Sequence, residues 1–299
     1  MNTNFIKQNK PILECQGGGF ESKSVYNPTA IVEGDTIFIL YRAENREDDC
    51  TGRIGLAWSR DGMNFIRHPE PVLYPEYDYE KMGCEDPRIV KYGKTYYLYY
   101  MANGESSKGI QIALASSKDL LQWEKLGLIK INMRIWDREK IKAAVVCPEK
   151  INGKYVMYFL GQQKEWHTAI GVAFSDDLIN WKEYENNPVV IPRIDNFDCL
   201  GVEPGATPVM ENGKITLIYN GWDKNLVHRA GYLVFLKNDP VQVLERYEKP
   251  IIEPTKEWEI EGPARNVTFA EGVVRFNNKW LLYYGAADKC IGLAEAPVS

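Results

Sequence analysis

The chain is poor in the residues that usually announce a metal or cofactor. Its 299 residues include three histidines, His68, His167 and His228, none at ligand spacing, and six cysteines with no C-x-x-C pair. A zinc site is therefore not expected. No phosphate loop, nucleotide fingerprint or Ser-His-Asp arrangement is visible, and no cofactor is expected. No run of lysine or arginine forms a basic stripe and the net charge is −5, so neither nucleic acid nor an anionic membrane is an expected partner. No apolar segment approaches the ~20 residues that span a bilayer. The opening "MNTNFIKQNKPILEC" lacks the basic-then-apolar pattern of a secretory signal, which reads as cytoplasmic. In that compartment Cys15, Cys50, Cys84, Cys147, Cys199 and Cys290 are expected as free thiols, most of them buried.

Helical periodicity is nearly absent too; a repeat stands in its place. "NPTAIVEGDTIFILYRA" from Asn27, "DPRIVKYGKTYYLYYMA" from Asp86, "CPEKINGKYVMYFLG" from Cys147 and "TPVMENGKITLIYNG" from Thr207 share a proline, a short apolar stretch, a turn glycine and an alternating aromatic-aliphatic strand. The prolines at 28, 87, 148 and 208 are spaced by 59, 61 and 60. "NVTFAEGVVRFNNKWLLYYGAA" from Asn266 is a fifth copy without the proline. A second marker, "SRDGMNF", "SKDLLQW" and "SDDLINW", sets a serine at 59, 117 and 175, an aspartate two residues on and an aromatic six on. The serine and aspartate can fold a side-chain-bonded turn that presents the aromatic to the next strand. The eighteen tyrosines and eight tryptophans suit strands, and also a surface that stacks on sugar rings.

Five units of about sixty residues, each of several short strands, predict an all-β five-bladed β-propeller. Its blades fall roughly at 20–80, 81–140, 141–200, 201–260 and 261–299, the last closing with the N-terminal segment. Two stacked sandwiches are the alternative, disfavoured by a period that no linker interrupts. In a propeller the first strand of each blade lines a central channel. The residues leading those strands are Asn27 in the first unit, Glu85 and Asp86 in the second, Lys142 in the third, Glu203 in the fourth, and Asn266 and Glu271 in the fifth. Polar groups far apart in sequence thus converge on one concave place, as a small-molecule site requires. Axial polar residues could instead bind water and seal the channel. Carboxylates beside arginines in a dry cleft can be tuned apart into a proton donor and an ionised base, and glycosidic bond cleavage needs little else.

The segments "NPTAIVEGDTIFILYRAEN", "GCEDPRIV", "PEKINGKY", "DPVQVLERYEKPIIEPTKEWE" and "YYGAADKCIGLA", in this order from about Asn27 to Ala294, resemble glycoside hydrolase family 130, the β-mannoside phosphorylases and β-mannosidases. The resemblance implies a five-bladed propeller and a β-mannoside oligosaccharide as substrate. It also implies that Asp86 is the general acid, relaying its proton through a hydroxyl of the sugar in the −1 subsite. Asn27, Arg42, Arg88 and Asp288 resemble the family's sugar-binding residues. Glu85 would orient an arginine or serve as a structural ion-pair partner. Family phosphorylases hold phosphate with a basic cluster, of which Lys142 matches one member; Leu160 stands near the expected arginine, and Asn220, a candidate substrate-binding residue, where a histidine would be. With Glu203 and Glu271 added, the pattern is similar to the family's inverting hydrolases, Glu203 or Glu271 activating water. The expectation is an exo-acting inverting β-mannosidase on β-1,2-linked manno-oligosaccharides. Phosphorolysis releasing mannose 1-phosphate is the alternative, with Arg138, Lys164 and Arg229 as further cations that could serve phosphate. A non-catalytic sugar-binding or scaffold propeller would need neither "EDPR" nor "GAAD". The family's habit of assembling leaves a homo-oligomer open.

Overall fold

Each copy of the strand–glycine–strand pattern folds as the two inner strands of one sheet. In the first unit Ser24–Glu33 pairs antiparallel with Thr36–Glu44, and in the second Gly83–Tyr92 pairs with Thr95–Asn103. Gly34 and Gly93 sit at the hairpin tips with φ of 61° and 59°, where a side chain would be strained. Arg53–Ser59 and Ile110–Ser117 add third strands, and Ile66–Arg67 and Trp123–Leu128 add fourth. The pattern recurs in three more sheets, making five small sheets in chain order in the computed structural model, which describes residues 3–104, 110–132, 141–164 and 167–298.

The sheets form a ring. Ser24–Glu33 packs against both Gly83–Tyr92 and Thr268–Phe276, so the first sheet lies between the second and the last. Ile6–Lys7 pairs with Cys290–Pro297 and supplies the outermost strand of the last sheet. The architecture is a five-bladed β-propeller. Its apolar residues fall into five clusters, each drawn from two neighbouring sheets, such as Leu40, Ile54 and Leu56 with Ile89, Leu98 and Tyr100. The core is thus a set of seams between blades, each sheet burying both faces.

The serine–aspartate marker forms the turn its residues suggest. Ser59 Oγ accepts from the Gly62 amide at 2.9 Å and Asp61 from the Met63 and Asn64 amides, each at 2.8 Å. The same bonds recur at Ser117/Asp119 and Ser175/Asp177. The proline marker is less uniform. Pro28 and Pro87 lie inside paired inner strands, whereas Pro148 follows Lys142–Val146 and Pro208 falls between Gly201–Pro204 and Val209–Glu211. All six cysteines are free; Cys84, Cys147 and Cys290 are buried and the other three half-buried, so burial is less general than expected.

A second repeat, not read from the sequence, fastens four blades at their outer strands. The hydroxyls of Tyr41, Tyr100, Tyr219 and Tyr284 donate to the buried carboxylates of Glu21, Glu80, Asp198 and Glu259. Each carboxylate also takes a cation from the outermost strand of the same sheet: Arg67, Lys125, Arg246 and Lys7. Opposite three of these tyrosines stand Gly55, Gly231 and Gly292, where a Cβ would lie 2.6, 2.5 and 2.3 Å from the ring. The sequence signal is an aromatic–acid dipeptide ahead of each inner strand, at 20–21, 79–80, 197–198 and 258–259. Trp136–Asp137 repeats it in the third unit and lies outside the described residues.

Candidate active site

A bulge turns the leading residue of the inner strand toward the axis. Pairing slips between Tyr26 and Thr29 in the first blade, Glu85 and Arg88 in the second, and Lys142 and Val145 in the third. The residues inside those bulges, Asn27, Asp86 and Ala143, have φ of 49°, 47° and 56°. Such bulges re-aim side chains beside active sites, and asparagine and aspartate tolerate left-handed backbone better than most residues. Here the two aimed side chains meet: Asn27 Nδ2 donates to Asp86 Oδ1 at 2.6 Å.

Around that contact lies a pocket of about 260 Å³ lined by Tyr26, Asn27, Arg42, Asp86, Lys142, His228, Ala264, Val267, Phe269 and Asp288. Ligand pockets run to roughly 300–1,000 Å³, so this one has room for about one sugar ring. Arg42 reaches Asp86 at 3.3 Å, Glu85 at 2.9 Å and Glu44 at 3.0 Å, and its Nε donates to the Thr51 carbonyl at 2.7 Å. Lys142 Nζ lies 3.0 Å from Glu203. Beneath the pocket Arg88, fully buried, pairs with the equally buried Glu271.

The cations and burial pull the carboxylates apart. Burial alone would raise Asp86, but Arg42, Lys142 and Arg88 outweigh it and hold the group below its ordinary range. Glu85 moves up, through burial and the neighbouring Asp86 charge, against Arg42. Burial lifts Glu271 well above the usual carboxylate range, the Asp86 and Glu203 charges adding to the rise and Arg88 opposing it. Asp288 is raised by burial and by the Asp86 and Glu44 charges, with Arg42 and Lys142 opposing.

Not every candidate faces the pocket. Asn27, Arg42, Asp86, Lys142 and Asp288 line it. Glu85 is held in the wall by Arg42, Thr51 and Asn103, the position of an orienting residue rather than of a sugar ligand. Arg88, Glu203 and Glu271 lie buried below, so Arg88 does not meet a sugar directly. Asn220 is a correction. Its amide donates to the Ala270 carbonyl at 3.1 Å and accepts from the Ala270 amide at 2.8 Å, so it stitches two blades together and has no face left for substrate. Leu160 pairs directly with Lys142 across the third sheet and is buried. Of the further cations, Arg229 pairs with Asp223 and Glu253 away from the lining, and Arg138 and the Lys164 side chain lie outside the described residues. Tyr26, His228 and Phe269 were not read from the sequence as site residues; Tyr26 adjoins Asn27 and Phe269 lies in the fifth copy, but the hairpin that carries His228 offers no repeat to align.

The chain matches known proteins along nearly its whole length. The family model described as β-1,4-mannooligosaccharide phosphorylase matches residues 13–299. A 1,2-β-oligomannan phosphorylase of Thermoanaerobacter sp. (strain X514) is 36% identical over 292 residues, 95% of this chain and 94% of that protein. A β-1,2-mannobiose phosphorylase of the same organism is 35% identical over 299 residues, covering 96% and 94%. One solved structure, described in terms of a GH130 family of mannoside phosphorylases containing hydrolases that target β-1,2-mannosidic linkages in Candida mannan, superimposes with a TM-score of 0.87 at 30% identity, covering 98% of this chain and 93% of that one. Both named relatives are phosphorylases, against the hydrolytic acceptor expected from Leu160 and Asn220.

Proposed function

Because the chain belongs to glycoside hydrolase family 130, we propose that it cleaves β-1,2-mannosidic bonds and passes the mannosyl group to inorganic phosphate. The observation that carries this reading is the near full-length likeness to two phosphorylases of β-1,2-linked mannosides. In the pocket, Asp86 serves as the acid at the departing glycosidic oxygen, with Asn27 and Arg42 fixing its carboxylate. Phosphate attacks the anomeric carbon from the opposite face as the glycosidic bond breaks. The products are mannose 1-phosphate of inverted configuration and a saccharide one unit shorter.

An acid must carry a proton when the bond breaks, and in the free site three cations favour the ionised form of Asp86. A phosphate dianion drawn to Lys142 offsets part of that positive field and raises Asp86 toward a donor. On this reading phosphate is both nucleophile and trigger for the acid.

Hydrolysis is the second reading, and one observation favours it. Among the described residues every cation at the site already has a carboxylate: Arg42 with Glu85 and Asp86, Arg88 with Glu271, Lys142 with Glu203. A dianion would have to share Lys142 with Glu203, at a cost in desolvation. Glu203 Oε1 and Glu271 Oε2 are buried with no hydrogen-bond partner, and either could take a proton from water. Incubating the protein with β-1,2-mannobiose, with and without phosphate, decides. Phosphorolysis gives mannose 1-phosphate and no turnover without phosphate; free mannose released at the same rate in both would overturn it in favour of hydrolysis.

A further inference from the structure

The pocket has two unlike kinds of wall. Asn27, Arg42, Asp86 and Asp288 are polar or charged, whereas Ala264, Val267, Phe269 and the ring of His228 are flat or apolar. His228 is stacked on Trp222, ring centres 5.1 Å apart with planes at 29°, and its other neighbour Phe269 lies at 6.0 Å. A pyranose is divided the same way, hydroxyls around its edge and C–H groups on its face. Aromatic rings suit the second part.

The histidine is not a neutral bystander in that wall. Its Nδ1 lies 3.0 Å from the Leu226 carbonyl oxygen. A carbonyl only accepts, so Nδ1 carries the hydrogen and Nε2 the lone pair. Burial pushes the imidazole down to about 4; the Lys142 charge acts in the same direction, and the Leu226 carbonyl and Asp223 oppose it. Near neutral pH the ring therefore offers the pocket an acceptor. Nε2 has no partner among the described residues. A sugar hydroxyl can donate to it.

We infer that Trp222, His228 and Phe269 form a pyranose-binding wall in which His228 Nε2 accepts a hydrogen bond from a ring hydroxyl. The inference rests on the β-mannoside reading for the sugar's identity, though not for the acceptor that attacks it. His228 is thus a substrate-binding residue, with Trp222 a positioning residue behind it.

The test is nitrogen NMR on protein carrying 15N-histidine, in which three histidines give few resonances, beside kinetics of His228→Leu and His228→Gln. With β-1,2-mannobiose the His228 Nε2 resonance should move upfield, as a lone pair does on accepting a hydrogen, while Nδ1 stays put. His228→Leu should raise KM about tenfold with kcat within about threefold, the scale of one lost hydrogen bond. His228→Gln, which keeps an acceptor, should recover most of the loss. If mannobiose is cleaved but Nε2 does not move, or the leucine variant keeps its KM, the wall falls and the enzyme reading stands. If mannobiose is not cleaved yet Nε2 responds to it, to methyl mannoside or to glucose, the enzyme reading falls and the wall stands. Silence toward all three without turnover removes both.

Discussion

The protein buries carboxylates in two places, at the outer strands of its blades and on its axis, and treats them in opposite ways. At the outer strands each is fully supplied. Glu259 accepts from Tyr284, from Lys7 and from the Thr255 and Lys256 amides at 2.7 and 2.9 Å. On the axis Glu85, Asp86, Glu203 and Glu271 share Arg42, Arg88 and Lys142, and Glu203 Oε1, Glu271 Oε2 and Arg88 Nε are left without hydrogen bonds. Buried polar atoms are nearly always paired. Exceptions gathered on one axis, beside carboxylates displaced in both directions from their ordinary range, mark a place kept for chemistry rather than for folding.

The sharpest way to break that contrast is to neutralise one group in each place. Asp86→Asn keeps the shape and the bond from Asn27 but removes the proposed proton donor. Turnover should fall by about 10³-fold or more, within the usual scale for a positioned acid, while the melting temperature falls only modestly: the charge that Arg42, Lys142 and Arg88 favour is lost, but so is its repulsion with Glu85. A fall of many degrees would show that the axis also holds the fold. Glu203→Gln divides the two functional readings. If water is the acceptor and Glu203 its base, activity should drop by about 10²–10⁴-fold. Under phosphorolysis the change frees Lys142 from its carboxylate, and the KM for phosphate should fall.

At the outer strands the signs reverse. Glu259→Gln leaves the Lys7 ammonium, nearly buried at 11% exposure, without its counter-charge. Breaking a buried pair from one side costs about 3–5 kcal/mol, and this one, slightly exposed, should cost about 3 kcal/mol in urea unfolding. Because the same strand closes the ring, the transition should stay cooperative while its midpoint shifts. Kinetics per folded molecule should match the wild type; a changed KM would tie the outer strands to the site.

These differences explain what could be read from the sequence. The sixty-residue period and the pair Asn27–Asp86 were legible because each repeats a pattern with turn glycines and fixed offsets. Asn220 was misread because strand side chains alternate, so a one-residue change of phase sends the same residue to a neighbouring backbone instead of the pocket. Bulges set that phase, and the copies differ in where they fall: in the fourth sheet two extra residues fall late, between the pairs Pro204–Tyr219 and Val209–Thr216, and in the fifth the shift lies between Ala270 and Gly272. The outer carboxylates escaped notice because an aromatic–acid dipeptide is common, and only the tyrosine twenty or so residues later gives it meaning. His228 sits on a hairpin whose shape no repeat specifies.

The smallest expected effect comes from the third blade, whose inner strand carries Phe159 where the other four carry the fastening tyrosine. In the third sheet Phe159 stands opposite Gly171, as Tyr219 stands opposite Gly231. Glu183 occupies the register position of Arg67 and Lys125, each paired with an alanine of the third strand. Asn187 takes over part of the task, donating to the Val172 carbonyl at 3.0 Å and accepting from the Val172 amide at 2.8 Å. A Cβ at Gly171 would lie 2.9 Å from the tip of the Phe159 ring and 3.1 Å from the Asn187 amide nitrogen, so tip and amide share one crowded space. Phe159→Tyr would thrust a hydroxyl there. Overpacking a core typically costs about 1–3 kcal/mol, and a loss within that range is expected here because both polar groups of Asn187 are already held by Val172. A gain in stability would mean that the third blade can be fastened like the other four.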